Sequence, residues 1–231
     1  MIRSKRWPGY FERDGRPLLL VGSGEHYGAI LNGAFDFDRY LDALTADGLD
    51  HCRVFSGTYR ERPGDFGIQS NTLAPDDAAF LCPWPRRPDG WFDLFRWNDD
   101  YWLRLRTFCR RAAARGIVVE YVLFCHWYTD AMWEDSPLHP SRNVQGIGPL
   151  DRTRVYRDPG LLRHVMGQLA RKAADELAGF DHVVFEVCNE PYTDGGDAMG
   201  GDFTEGIASG IHEVDPSRLI AINVANGSGR P

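Results

Sequence analysis

The sequence lacks the segments that mark a membrane protein or a secretory leader. No apolar run approaches the roughly 20 residues that a membrane-spanning helix requires. The basic N-terminal stretch, 1-MIRSKRWPGYFERDGRP-17, contains no apolar region of the kind found in signal peptides. We therefore expect no membrane partner and a cytoplasmic location, with a secreted location as the alternative if the N-terminus is incomplete.

Long basic runs and glycine-rich phosphate loops are missing as well. The 26 Lys and Arg are outnumbered by 33 Asp and Glu, which gives a formal net charge of −7 and argues against nucleic acid as a partner. No expected strand is followed by a GxGxxG or P-loop motif, and 22-GSGEHYG-28 is too loose a match that does not lead directly into a helix. This absence counts against an open doubly wound sheet.

Metal-binding and disulfide patterns are also absent. No CxxC, HxH or HExxH motif occurs, and the number of cysteines is odd. We expect no cofactor and no metal, and we interpret the cysteines as buried free thiols in a reducing compartment. They are Cys52, Cys82, Cys109, Cys125 and Cys188.

Apolar strand-like runs alternate with amphipathic helical stretches along the chain. Hydrophobic residues make up 43% of the sequence and charged residues 26%, which is enough for a packed core. Helix 36–48 has Asp36 as a cap, and helix 158–177 has Asp158 as a cap with Pro159 in the first turn. The expected strands are 17–22, 51–56, 117–125, 182–188 and 218–226, and the other expected helices are 98–116 and 202–214.

Alternating strands and helices of this kind predict a parallel sheet covered by helices. The loops that follow the strands are long and those that follow the helices are short, as in barrel enzymes with a site at the carboxyl ends of their strands. We therefore predict an α/β fold of the (β/α)8 TIM-barrel type, incomplete, with about the first five βα units. Residues 1–231 form one partial catalytic domain, and the insertion at about 57–97 is either a lid or cleft wall or a plain surface excursion.

Polar residues collect where the expected strands end. Each has a structural explanation by itself: Arg53 as an ion-pair partner, His126 as a buried histidine and Glu190 as a helix cap. Together they indicate chemistry, because a structural rim needs no such set. The strand ends carry Glu25-His26-Tyr27, Arg53, 126-HWYTD-130, Asn189-Glu190-Pro191, and Asn223 with Asn226.

The stretch 183-VVFEVCNEP-191 suits one half of a glycosidase site. Glycoside hydrolysis needs two carboxyl groups, one of which acts as an acid beside the leaving oxygen. Glu190 suits the acid, Asn189 could hold a sugar hydroxyl, and Pro191 fixes the turn out of the strand. Glu186 has the strand parity of Glu190, so we predict that it points inward and forms an ion pair with Arg53.

With these residues in view, the chain resembles the N-terminal part of a clan A glycoside hydrolase close to family 5, the cellulase- and mannanase-like enzymes. The matching segments are 10-YFERDGRPLLLVG-22, 51-HCRVF-55 with its arginine, the histidine at position 126, and 185-FEVCNEP-191. The resemblance implies that Glu190 is the general acid/base of a retaining enzyme for β-linked glycosides or polysaccharides. It implies that Asn189, His126 and Arg53 complete the catalytic set. We expect carbohydrate contacts from His26, Tyr27, Trp127, Tyr128, Trp133 and Tyr192.

The chain departs from that family in length. Family members have eight strands and a nucleophilic Glu after the seventh, whereas this sequence stops just after the fifth expected strand. We expect a fragment of a longer enzyme whose nucleophile lies beyond the chain end, inactive alone and able to self-associate through an exposed sheet edge. The alternative is a short natural protein that closes its sheet by oligomerising.

Two other functions stay open. A non-catalytic carbohydrate-binding remnant would keep an aromatic cleft, in which we also expect Trp84 and Trp91, but show no turnover. A metal-dependent barrel hydrolase would use His26, His126 and an acid, and it ranks last because the metal motifs are missing.

Overall fold

The chain begins with an antiparallel hairpin in the computed structural model, which describes residues 1–22, 27–193, 196–197 and 201–223. Strands β1 (Ile2–Arg3), β2 (Phe11–Arg13) and β3 (Arg16–Leu18) pair in that order. Asp14 and Gly15 connect β2 to β3 with φ of 52° and 75°. Positive φ at both positions of a two-residue turn favours an Asp-Gly pair, so the local sequence determines this hairpin.

A parallel sheet follows the hairpin and forms the centre of the fold. Its strands are β4 (His51–Phe55), β5 (Val118–Cys125), β6 (Val183–Asn189) and β9 (Ile220–Ala221), hydrogen-bonded in that order among the described residues. Every residue of β6 is buried, and β5 is buried except at one intermediate position. The predicted strands 51–56, 117–125 and 182–188 are therefore confirmed, and their apolar character follows from burial on both faces.

The first and last predicted strands are wrong in extent. The backbone of Arg16–Leu18 forms its hydrogen bonds with β2. The segment 17–22 contacts the central sheet only where Val21 and Gly22 pair with Asp50 and His51. Leu19 is 71% exposed, so this stretch is not a core strand. The strand predicted at 218–226 is limited to β9 among the described residues, and its end lies outside them.

Helices cover the sheet. They are α1 (Gly28–Leu31), α2 (Phe37–Ala46), α3 (Asp99–Ala114), α4 (Asp130–Glu134), α5 (Leu162–Leu177) and α6 (Gly201–Val214), and a short hairpin of β7 (Tyr192–Thr193) and β8 (Gly196–Asp197) precedes α6. The Asp36 side chain accepts a hydrogen bond from the Arg39 amide, which confirms the predicted cap of α2. Helix α5 begins at Leu162 rather than at Asp158, and Leu161 is exposed, so the predicted start of that helix is wrong.

The two faces of the sheet differ in character. The Tyr121 hydroxyl of β5 lies 2.7 Å from the Tyr101 hydroxyl of α3, so this face of β5 packs on the helices. Side chains in a strand alternate between faces, and the neighbouring Glu120 therefore points the other way, toward Arg53 and Glu186. The opposite face thus gathers charged groups, which sets the position of the site.

Two long loops leave the carboxyl ends of β4 and β5 and pack on each other. The Phe92 amide donates to the Arg142 carbonyl at 2.8 Å, and the Ser136 hydroxyl donates to the Thr58 carbonyl at 2.7 Å. Trp84 in the first loop is fully buried. The insertion at 57–97 therefore packs on the loop that follows β5 and has apolar packing of its own.

The cysteines agree with a further expectation from the sequence. All five cysteines are buried free thiols, as the sequence predicts. None of the described helices is long and apolar enough to cross a membrane.

Candidate active site

An ion pair joins β4 to β6 on the face of the sheet opposite the Tyr121 face. Arg53 donates from Nη2 and Nε to the Glu186 Oε2 atom, at 2.5 Å and 3.1 Å. The same Nη2 also lies 2.9 Å from the Asn189 Oδ1 atom. The pair predicted from strand parity is confirmed, and Arg53 also fixes the orientation of the Asn189 amide.

A second carboxyl group, Glu120, completes this charged cluster. Its Oε2 atom lies 3.1 Å from His51 Nε2 and 3.6 Å from Arg53 Nε. Burial raises the pKa of Glu186 to about 7, and Glu120 adds to the rise while Arg53 opposes it. Burial also acts on Glu120, but His51, Glu186 and Arg53 outweigh it and lower its pKa. The two carboxyl groups therefore release their protons in separate steps, Glu186 last.

Glu190 lies one residue beyond the end of β6. Its backbone has φ of 44°, in the left-handed region that a glutamate rarely adopts, and its side chain is partly exposed. The Tyr128 hydroxyl donates to the Glu190 Oε2 atom, and the Asn189 Nδ2 atom lies 3.2 Å from the same hydroxyl. Burial raises the pKa of Tyr128, so its phenol stays protonated and able to donate. A continuous chain of hydrogen bonds thus joins Arg53 to Glu190.

A cavity of about 330 Å³ opens beside Glu190. Four of its lining residues belong to the sites predicted from sequence: Arg53, Tyr128, Asn189 and Glu190. Sequence analysis missed the residues that the insertion contributes. The full lining is Arg53, Phe55, Tyr59, Glu61, Phe66, Cys125, Tyr128, Asn189 and Glu190.

His126 stands behind this cavity. It is buried, its backbone amide donates to the Asn189 carbonyl at 3.1 Å, and its ring meets the Tyr128 ring edge-on with centroids 5.4 Å apart. The Nε2 atom lies 3.3 Å from Arg152 Nη1. Among the described residues, His126 therefore joins the site through Tyr128 and does not line the cavity.

Comparison with solved structures finds family 5 glycoside hydrolases. The mannosidase of Rhizomucor miehei has 13% sequence identity and a TM-score of 0.60, over 94% of this chain and 54% of that one. Cel5A of Thermotoga maritima, solved with mannotriose, has 14% identity and a TM-score of 0.54, over 91% and 53%. The exo-β-1,4-mannosidase Op5Man5 of an Opitutaceae bacterium has 16% identity and a TM-score of 0.57, over 95% and 34%.

The fold is that of about half a family 5 glycoside hydrolase barrel. The chain spans about half the length of the first two structures named above and a third of the last. Neither a protein-family profile nor a curated protein matches the sequence. The predicted fold class, an incomplete barrel, is thus confirmed, and identities of 13–16% support the fold alone.

The remaining residues predicted to contact sugar do not appear among the described residues that line the cavity. Trp127 and Trp133 are buried against each other, with ring centroids 4.5 Å apart, and Trp84 is also buried, so these three do not reach the cavity. Tyr27 is buried and donates to the Glu61 carbonyl. His26 and the side chain of Tyr192 lie outside the described residues. The contacts of these six residues with sugar stay predictions.

The described part of the barrel contains no cluster of three His, Cys, Asp or Glu side chains that could hold a metal ion. The cavity offers two carboxyl groups, a fixed amide, two phenols and exposed aromatic surface. Such a set can exchange a proton and hydrogen-bond hydroxyl groups.

Proposed function

We propose that this chain is the acid/base half of a retaining glycoside hydrolase that acts on β-linked glycosides or polysaccharides. The supporting observation is the position of Glu190, which lies in a cavity at the carboxyl end of a parallel sheet and is hydrogen-bonded by Tyr128. Sites in barrels of this type lie at that end. The shared fold with family 5 structures supports the same assignment.

Glu190 acts twice in the proposed reaction. It first protonates the leaving oxygen while a second carboxylate attacks the anomeric carbon, and it then removes a proton from the water that releases the sugar. Among the described residues, Tyr128 donates to the Oε2 atom of Glu190, and we propose that the Oε1 atom protonates the glycosidic oxygen. Arg53 holds Asn189 by its oxygen, so the amide nitrogen faces Tyr128 and the cavity.

The second carboxylate must stand about 5–5.5 Å from the first. We propose that it belongs to the half of the barrel that this chain does not span. The chain by itself then binds carbohydrate without turning it over at a normal rate. A non-catalytic carbohydrate-binding role is the second candidate, since the coverage of about half of each neighbour agrees equally with it.

Paired activity and binding assays test the proposal. Hydrolysis of 4-nitrophenyl β-mannoside and β-glucoside is measured beside calorimetric binding of mannotriose and cellobiose, for the wild type, Glu190→Gln and the exposed control Glu205→Gln. We expect binding without normal turnover in the wild type and in the control. Robust turnover that Glu190→Gln abolishes would mean that the chain supplies its own nucleophile. Absence of binding would contradict a carbohydrate site altogether.

A metal-dependent hydrolase stays as the last alternative. Elemental analysis of the purified chain decides it, because one bound metal ion per chain would favour that reaction over the double displacement.

A further inference from the structure

The cavity beside Glu190 contains a second carboxyl group, Glu61, that the proposed reaction does not use. Glu61 lies in the insertion after β4, and its side chain is partly buried. Tyr59 Oη donates to its Oε1 atom at 3.1 Å, and Asn71 Nδ2 donates to its Oε2 atom at 3.2 Å. Each oxygen of an ionised carboxylate can accept about two hydrogen bonds, so both keep capacity for a ligand's hydroxyl groups.

The two donors are themselves fixed. The Asn71 Oδ1 atom accepts hydrogen bonds from the backbone amides of Leu73 and Ala74, which leaves its amide nitrogen directed at Glu61. The Tyr59 ring is buried and packs edge-on against Tyr128, with centroids 6.1 Å apart. Glu61 is therefore held in one position beside the Tyr128–Glu190 pair before any ligand arrives, which lowers the entropy cost of binding.

The cations next to Glu61 in sequence point away from this cavity. The buried Arg60 binds Asp77 at 2.6 Å, and Arg62 binds Asp135 through two hydrogen bonds of 2.7 Å and 2.8 Å. They line a different pocket, next to α4. Among the described residues that line the Glu190 cavity, Arg53 is the only cation, and it is already paired with Glu186. The described lining of the cavity thus contains two carboxyl groups, Glu61 and Glu190, and no unpaired cation.

An aromatic ring stands at the mouth of the same cavity. Phe66 is 58% exposed and adopts φ of 53°, a backbone conformation that is strained for a bulky residue. Its edge-on contact with Tyr128, with centroids 5.3 Å apart, leaves part of the ring to solvent. An exposed aromatic face can pack on the apolar face of a sugar ring.

We propose that Glu61 and Phe66 form a sugar-binding subsite beside Glu190 that selects neutral glycosyl units and rejects acidic ones. Glu61 accepts hydrogen bonds from ligand hydroxyl groups, and Phe66 packs on the ring. A uronic acid would place its carboxylate beside Glu61, without a free cation among the cavity's described lining residues to balance the two charges. This inference rests on the proposed carbohydrate function and assigns specificity to the insertion.

Calorimetric titration of the whole chain tests the subsite. The probes are cellobiose and its uronic-acid counterpart, cellobiouronic acid, with mannotriose as a second neutral probe. The variants are Glu61→Gln, Phe66→Ala and the control Glu205→Gln, an exposed glutamate on α6. Thermal unfolding confirms that each variant is folded.

We expect Glu61→Gln to bind the neutral sugar about tenfold more weakly, because a hydrogen bond to a charged acceptor is lost. The same variant should narrow the preference for cellobiose over cellobiouronic acid, which a purely structural role for Glu61 would not do. The control should bind within about twofold of the wild type.

Three results would overturn the subsite. If the Glu61→Gln variant folds and matches the wild type in affinity and selectivity, Glu61 does not take part in sugar binding. The glycosidase proposal would then stay intact. Should that variant not fold, unchanged binding by Phe66→Ala refutes the subsite in its place. Absence of binding of both neutral probes by the wild type removes the proposed function and the subsite together.

Discussion

Replacing Arg53 by Met tests the charged cluster most directly. Met keeps much of the apolar stem and removes the guanidinium, so Glu120 and Glu186 would face each other without their shared cation. The Glu186 side chain is 2% exposed and that of Arg53 is 24% exposed, so solvent screens this pair little. Breaking one partner of a buried pair costs about 3–5 kcal/mol. We expect about 3 kcal/mol at pH near 8, because Arg53 is not fully buried.

The size of this loss should depend on pH. Arg53 lowers the pKa of both carboxyl groups, against burial, so the folded-state pKa values rise when it is removed. A carboxyl group whose folded pKa is raised contributes stability at low pH that is lost as the pH increases. The deficit of Arg53→Met should therefore be smaller at pH near 5, where Glu186 is protonated, than at pH near 8, where the wild type has lost that proton.

Urea unfolding of the wild type and the variant at both pH values measures this deficit. The matched control is Arg171→Met, which breaks an exposed pair with Glu213 whose partners are 45% and 62% exposed. Exposed pairs contribute about 0.2–1 kcal/mol, so the control should lose little at either pH. A deficit for Arg53→Met below about 1 kcal/mol, or one that is larger near pH 5, would refute the account of a buried cation shared by two acids.

Three further predictions follow from single contacts. Glu186→Gln should lose less stability than the wild type as the pH rises from about 4.5 to 7, because the wild-type pKa of about 7 is raised by burial; urea unfolding across that range checks it. Tyr128→Phe should cost about 1 kcal/mol in urea unfolding, because Asn189 and Glu190 lose a partner while the ring keeps its packing. Gly28→Ala should lower the melting temperature, because its Cβ would lie 2.3 Å from the Leu73 carbonyl oxygen, whereas Gly206→Ala meets nothing within 4 Å and should raise it slightly.

The sequence predicts the three long core strands well because burial on both faces leaves near-continuous apolar runs. It fails at 17–22, where Leu18, Leu19 and Leu20 look like a core strand although β3 pairs in the hairpin and Leu19 is exposed. Apolar composition does not reveal which neighbour takes the backbone hydrogen bonds. The start of α5 was misplaced for a related reason, since a favourable Asp158-Pro159 pair does not guarantee that a helix begins there.

The sequence predicts the site residues that lie at strand ends, but it does not predict those that lie in loops. Arg53, Asn189 and Glu190 meet because parallel strands end at one edge. Glu61 and Phe66 lie 6 and 11 positions beyond the end of β4, at Phe55, and their place in the cavity depends on how the insertion packs against 126–157. The usable signal was the run 59-YRER-62, in which Glu61 stands between two arginines.

Strand parity alone does not predict the direction of the Glu190 side chain. Continued alternation along β6 would direct Glu186, Cys188 and position 190 to one face. The strand ends at Asn189, and a φ of 44° at Glu190 turns the chain before that alternation can continue. Strain of this kind persists only where neighbours hold it, and here Pro191 is buried while Tyr128 binds the Glu190 carboxylate. The Asn-Glu-Pro sequence therefore ends a buried strand and positions one carboxyl group in the cavity.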